Sequence, residues 1–235
     1  FNEWGYEDES TSEDAYIPQK IAKALNLPVS KTALISEGGN RDINGKGVLI
    51  TTASLEEQRN PSLNRQEMEV EYKRMLGISK VIWLEQGLFE DDQATISLLP
   101  NTEGVPTYYT TFNPGGHIDQ YCRFVDENTI LLAEVPSNQL NHPIQKENAK
   151  RLDQNYKILC NSTDQYGNAF RIIRVPTGPM LFDKYEIGDT FYTHFAEYEF
   201  LPTATFTTGK FTKQKTYPII VPTSYLNYIV FNQTV

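Results

Sequence analysis

The chain has 235 residues, a formal charge of −9, 39 % apolar and 12 % aromatic residues, which is the balance of a folded domain with a sizeable core and not of a disordered chain. The acidic excess argues against nucleic acid as a partner, because phosphates call for Lys and Arg, and it suits a cationic small molecule. No run of about 18 apolar residues occurs, so a spanning helix is excluded.

Taken in order, an acidic surface stretch with Glu3, Glu7, Asp8, Glu9, Glu13 and Asp14 comes first. A short helix follows from Pro18 to Leu25, with Ile17, Ile21 and Leu25 at four-residue spacing. Ala33, Leu34 and Ile35 read as a strand leading into Glu37-Gly38-Gly39-Asn40. Asn44-Gly45 between residues 41–43 and 48–50 is a two-residue hairpin signal.

Asn64 and Glu67 have the spacing of a capping box for a helix from Arg65 to Leu76, and Gly77 marks its stop. Met68, Tyr72, Met75 and Leu76 form its apolar stripe, which reads as core packing. The strand Val81–Leu84 then closes a ββαβ unit. Residues 117–125 read as a strand, Glu127-Asn128 as a turn and 129–135 as a second strand. A helix over 145–159 with Ala149, Leu152, Tyr156 and Leu159 inward, then a strand over 170–175, repeats the same order. A repeated unit is what a propeller or solenoid requires, since one unit cannot bury its own sheet face. Residues 180–216 read as an irregular insertion with short strands, and Tyr225 to Phe231 as a terminal strand-like run.

The chemistry centres on Gly115-Gly116-His117-Ile118-Asp119. In a strand, His117 and Asp119 would share one face. A general acid/base beside an anion of that kind suits a substrate bearing a cationic guanidinium fork. His142 and His194 read as structural or surface residues. Cys122, of opposite parity to His117, reads as a small buried hydrophobe, and Cys160 has no local partner to activate it. Two isolated cysteines fit neither a disulfide framework nor a Cys-based zinc site, so a reducing, cytoplasmic setting without metal or cofactor is expected. Phe1 in place of Met, with Lys20 as the first basic residue, reads as a start inside a longer gene product and not as a secretory signal.

Phe1-Asn2-Glu3-Trp4-Gly5, Glu37-Gly38-Gly39-Asn40, Gly47-Val48-Leu49-Ile50-Thr51-Thr52, Lys80-Val81-Ile82-Trp83-Leu84, the His117 segment and Arg123-Phe124-Val125 together resemble the agmatine deiminase family. That family belongs to a wider group of guanidine-modifying enzymes that includes bacterial peptidyl-arginine deiminases. The likeness continues more thinly through Tyr166-Gly167-Asn168 and Ser224-Tyr225-Leu226-Asn227.

The resemblance implies an α/β fold, a five-bladed α/β propeller (pentein) of ββαβ units. About three units would be present in a single incomplete catalytic domain spanning 1–235. It further implies conversion of agmatine to N-carbamoylputrescine and ammonia, a step of polyamine synthesis, through a covalent cysteine intermediate. His117 would be the acid and base, Asp119 the carboxylate that clamps the guanidinium, and Glu37 the acid touching both His117 and the substrate. The family's cysteine lies in a Gly-rich segment towards its C-terminus, and its second guanidinium-binding Asp precedes the Phe-Asn-x-Trp-Gly motif. Neither segment is present, so the chain is expected to be an inactive piece of an active parent. Asn113-Pro114-Gly115 departs from the family's polar residues before Gly-His. A peptidyl-arginine deiminase is the second enzymatic reading, and a noncatalytic guanidine-binding or structural propeller module is the reading from another class.

Overall fold

The computed structural model describes residues 16–92, 98–111, 113–189, 192 and 215–228. The opening Phe-Asn-Glu-Trp-Gly motif, the acidic stretch and His194 lie outside these residues. Helix α1 (Ile17–Ala24) forms as expected, with Pro18 in its first turn, yet Ile17, Ile21 and Leu25 are all exposed. Among the described residues no helix is long and apolar enough to cross a membrane.

The segment before Glu37 is not strand and has no partner strand among the described residues. The Ile35 amide donates to Asn60 Oδ1 at 2.8 Å, and Asn60 Nδ2 donates to the Ile35 carbonyl at 2.8 Å. One carboxamide thus satisfies a backbone that would otherwise need a ladder. The predicted hairpin is present: β1 (Asp42–Ile43) pairs antiparallel with β2 (Val48–Thr52). Gly45 has φ 73°, a region that favours glycine. Asn44 Oδ1 accepts from the amides of Lys46 and Val48, which closes the loop.

Helices α2 (Ala53–Arg59) and α3 (Arg65–Leu76) cross to β3 (Lys80–Leu84), which runs parallel to β2. The capping box at Asn64 and Glu67 and the left-handed Gly77 that ends α3 are both as the sequence predicts. Met68 and Tyr72 pack with Leu49 and Ile78 beneath that helix.

A hairpin of β4 (Leu98–Pro100) and β5 (Pro106–Thr110) follows. The second ββαβ unit is β6 (Cys122–Phe124), β7 (Thr129–Glu134), α4 (Pro143–Cys160) and β8 (Arg171–Pro176). Its middle strand pairs antiparallel with β6 and parallel with β8, as β2 does with β1 and β3. The two sheets share one core, in which Val48, Ile50, Ile82 and Leu84 meet Ile118, Tyr121, Cys122, Ile130 and Leu132. Burying each such aliphatic side chain is worth about 1.5–3 kcal/mol before entropy is charged against it.

Two corrections concern this unit. Residues 117–121 are not strand: Ile118–Gln120 form a 3₁₀ turn, and β6 begins only at Cys122. Ile118, Tyr121 and Cys122 are fully buried, and that spacing belongs to a helical turn and not to a pleat. Tyr156 is 37 % exposed, its ring facing the Arg174 guanidinium, whereas Leu152 and Leu159 are buried as expected.

The third sheet has the order β4-β5-β10-β9, with β9 (Leu181–Glu186) and β10 (Thr216–Val221). Thus β9, inside the expected irregular region, is a regular six-residue strand. Of the terminal apolar run, Tyr225–Tyr228 are not strand; Leu226 enters the core, and Arg123 Nη1 donates to the carbonyls of Leu226 and Tyr228. Residues 229–231 lie outside the described residues.

Candidate active site

Glu37, His117 and Asp119 come from two segments that the fold brings face to face. Glu37 precedes the 3₁₀ turn Gly38–Asn40, and His117 precedes the one at Ile118–Gln120. Asn40 joins them. It is fully buried, and its Oδ1 accepts from the amides of Thr52 and Ile118, both at 3.2 Å. Its Nδ2 donates to Glu56 Oε1 at 2.8 Å. The peptide following His117 is therefore fixed to the strand β2 and to the Glu-Gly-Gly-Asn turn at once.

Glu37 and His117 are buried, and His117 Nε2 lies 2.6 Å from Glu37 Oε2. The other oxygen, Oε1, accepts from Arg59 Nε at 2.7 Å. Burial works against ionisation of Glu37, but the bonds from His117 and Arg59 outweigh it and hold the carboxyl below its ordinary range. An ionised carboxylate only accepts, so Nε2 carries the proton and Nδ1 is the nitrogen left for chemistry. A Cβ built on Gly39 would fall 2.3 Å from His117 Nδ1 and 2.8 Å from Asp119 Oδ2. That nitrogen and that carboxylate therefore converge on one α-carbon.

Asp119 is half-buried, and its Oδ1 is shielded from solvent without a hydrogen-bond partner among the described residues. Burial raises its carboxyl above the ordinary value, against the pull of His117 and Arg123. An orphaned acceptor of this kind costs free energy until a donor arrives. Behind the loop, Asp91 is buried and its Oδ2 accepts from the Gly116 amide at 3.2 Å. Burial, reinforced by Glu90, Asp119 and Asp92, drives its carboxyl well above the usual range.

The structure thus brings together all three predicted residues, although a turn and not a strand sets His117 beside Asp119. Cys122 lies in the shared core, where burial pushes its thiol up. Cys160 is exposed at the end of α4. His142 is structural: Nδ1 accepts from the Ile144 amide and so caps α4. Arg59, Asn40 and Asp91 escaped the sequence reading. An Arg in the last turn of a helix and a Glu-Asp-Asp run both have the pattern of solvated features. Only Asn40, directly behind Glu-Gly-Gly, carried a local signal.

A family model described as Porphyromonas-type peptidyl-arginine deiminase matches residues 1–97 and 105–235. The chain belongs to this family. Among curated relatives, an agmatine deiminase of Medicago truncatula is 28 % identical over 198 residues, 81 % of this chain and 46 % of the relative. One of Pseudomonas fluorescens is 30 % identical over 188 residues, 77 % of this chain and 44 % of the relative. A solved agmatine deiminase of Enterococcus faecalis superposes with a TM-score of 0.59 at 20 % identity, over 81 % of this chain and 46 % of that one. At that identity the likeness is one of fold. The chain spans about half the length of the curated relatives it matches. Residues 98–104, which the family model leaves out, are β4 and the turn after it.

Proposed function

We propose that this chain carries the guanidinium-recognition and proton-transfer half of an agmatine deiminase-like hydrolase. The observation that carries the reading is the unpartnered, shielded Asp119 Oδ1 beside a His117 whose Nε2 is held by Glu37. A guanidinium would supply two parallel donors to Asp119 and localise its charge there. Support for agmatine comes from the names of the relatives; the family's own name supports peptidyl-arginine as the alternative substrate.

In this reading a thiolate from outside residues 1–235 adds to the guanidinium carbon. His117, protonated, gives its proton to the departing nitrogen, so ammonia leaves and an amidino-thioether remains. His117 then takes a proton from water as the oxygen adds to the same carbon, and the thiolate is expelled to leave the ureido product. The net change is guanidinium plus water to urea and ammonium, so no cofactor is needed.

The same reading makes residues 1–235 one incomplete catalytic domain of a five-bladed α/β propeller, with the stretch about 180–216 as an insertion. Two ββαβ units with the same strand pairing support it, and the third sheet would contribute to a further blade.

Ammonia release by the full-length protein from agmatine, from arginine and from an arginine peptide tests the proposal. His117→Ala should lower turnover by about two to four orders of magnitude, the span for losing a general acid/base. Asp119→Asn should weaken both binding and turnover, since it removes the opposing anion. Parental rates in both variants would overturn the assignment.

A further inference from the structure

Arg59 ends α2 and is only 5 % exposed, and it meets the proposed catalytic set through Glu37 alone. Each arm of its guanidinium has an acceptor. Nε donates to Glu37 Oε1 at 2.7 Å, Nη1 to Gln58 Oε1 at 2.9 Å and Nη2 to the Pro114 carbonyl at 2.8 Å. Glu37 and Pro114 belong to the two different segments that supply the site, one ending in the Glu-Gly-Gly-Asn turn and the other leading through Gly115-Gly116 to His117. A single planar group therefore sets the distance between the segments.

We propose that Arg59 is a positioning residue: it binds Glu37 and the Pro114 carbonyl in one fork and so holds Glu37 Oε2 on His117 Nε2. The inference rests on the reading of His117 as the acid and base. Its physical basis is an allotment of oxygens. With Oε1 taken by Arg59, only Oε2 faces the imidazole, and the carboxylate has one orientation in place of several. A buried carboxylate without that cation would carry an uncompensated charge and would turn towards whatever donor remained. Lysine can stand in only in part. An ammonium on a flexible stem can neutralise Glu37, but it lacks the rigid fork that reaches Pro114 at the same time.

Arg59→Met and Arg59→Lys in the full-length protein test this, by proton NMR and by steady-state kinetics. The imidazole N–H bonded to a buried carboxylate should give a downfield, slowly exchanging resonance, assigned by its loss in His117→Ala. Arg59→Met should remove or shift that resonance, and Arg59→Lys should leave it weakened. Turnover should fall at least about ten-fold in Arg59→Met with KM changed less than about three-fold, the pattern of a lost interaction that does not touch the ground-state substrate. Arg59→Lys should recover part of kcat. An unchanged resonance and an unchanged kcat in Arg59→Lys would overturn the proposal even if Arg59→Met failed to fold. If the wild-type protein turned over no guanidine compound, the NMR comparison would still decide the role of Arg59. Turnover indifferent to His117→Ala would sink the functional reading alone.

Discussion

Gly38 and Gly39 stand side by side, yet a methyl group meets nothing within 4 Å at the first and His117 and Asp119 at the second. The nearest atom at Gly39 is His117 Nδ1, and the imidazole and its backbone are held on their far sides, by Glu37 on Nε2 and by the Asn40 bond to the peptide after His117. They have little room to yield. Gly39→Ala should therefore displace the imidazole from Glu37, whereas Gly38→Ala should be close to neutral. Turnover of the full-length protein together with the His117 N–H resonance checks this, and equal behaviour of the two variants would show that the imidazole is not seated on Gly39. At this scale the sequence revealed the residue types but not their bonds. Glu37 and His117 were legible as candidates through the Glu-Gly-Gly and Gly-Gly-His patterns. Arg59 was not, because its three acceptors are a carboxylate 22 residues back, a neighbouring amide and a carbonyl 55 residues on, and no local spacing encodes such a set.

Capped helices and the tight hairpin, whose determinants lie within a few residues, follow the sequence, whereas the departures are a segment bonded to a distant side chain and a turn whose period resembles a strand's only at His117 and Asp119. In α3 the Asn64 side chain accepts from the Glu67 amide at 3.0 Å while Glu67 Oε2 accepts from the Asn64 amide at 2.8 Å. Both donors are among those a helix start leaves unsatisfied. Asn64→Ala should cost about 1 kcal/mol, measurable as a lower urea midpoint with an unchanged slope; a loss below about 0.3 kcal/mol would mean that water caps the helix equally well. The hairpin at Asn44-Gly45 is local in the same sense. By contrast, residues 33–35 have strand composition, but the amide and carbonyl of Ile35 bond to the side chain of Asn60. The turn at Ile118–Gln120 was missed because a two-residue alternation was assumed where buried Ile118, Tyr121 and Cys122 follow a three-and-four spacing. The burial of Cys122 survives that error, since the shared core sets it and strand parity does not.

Among the described residues, a set of buried and half-buried acids have their carboxyls pushed upward, with burial the leading cause: Asp42, Glu56, Glu90, Asp91 and Asp119. A group that titrates higher when folded binds more protons in the folded state. Its favourable contribution is complete below the unfolded value, about 3.9 for Asp and 4.3 for Glu, and is lost as pH rises through the folded value. Glu37 has the opposite sign. Its value is lowered, so its contribution holds above about 4.3 and fades only on further acidification. The raised acids therefore favour the fold increasingly as pH falls towards the carboxylate range, while Glu37, like the lowered Glu71, Glu85, Asp126, Glu147 and Asp164, works against it only once pH drops into that range. His142, whose burial lowers its value, opposes this below about pH 6.5. A comparison of variants removes that complication. Asp91→Asn keeps an acceptor for the Gly116 amide and deletes the charge that Glu90, Asp92 and Asp119 repel. Urea unfolding should find it more stable than the parent at about pH 8, with the difference closing steadily towards about pH 4. Parallel curves over that interval would mean that Asp91 titrates alike in the folded and unfolded chains, and that the loop carrying His117 is braced by a carboxylate and not by a neutral acid.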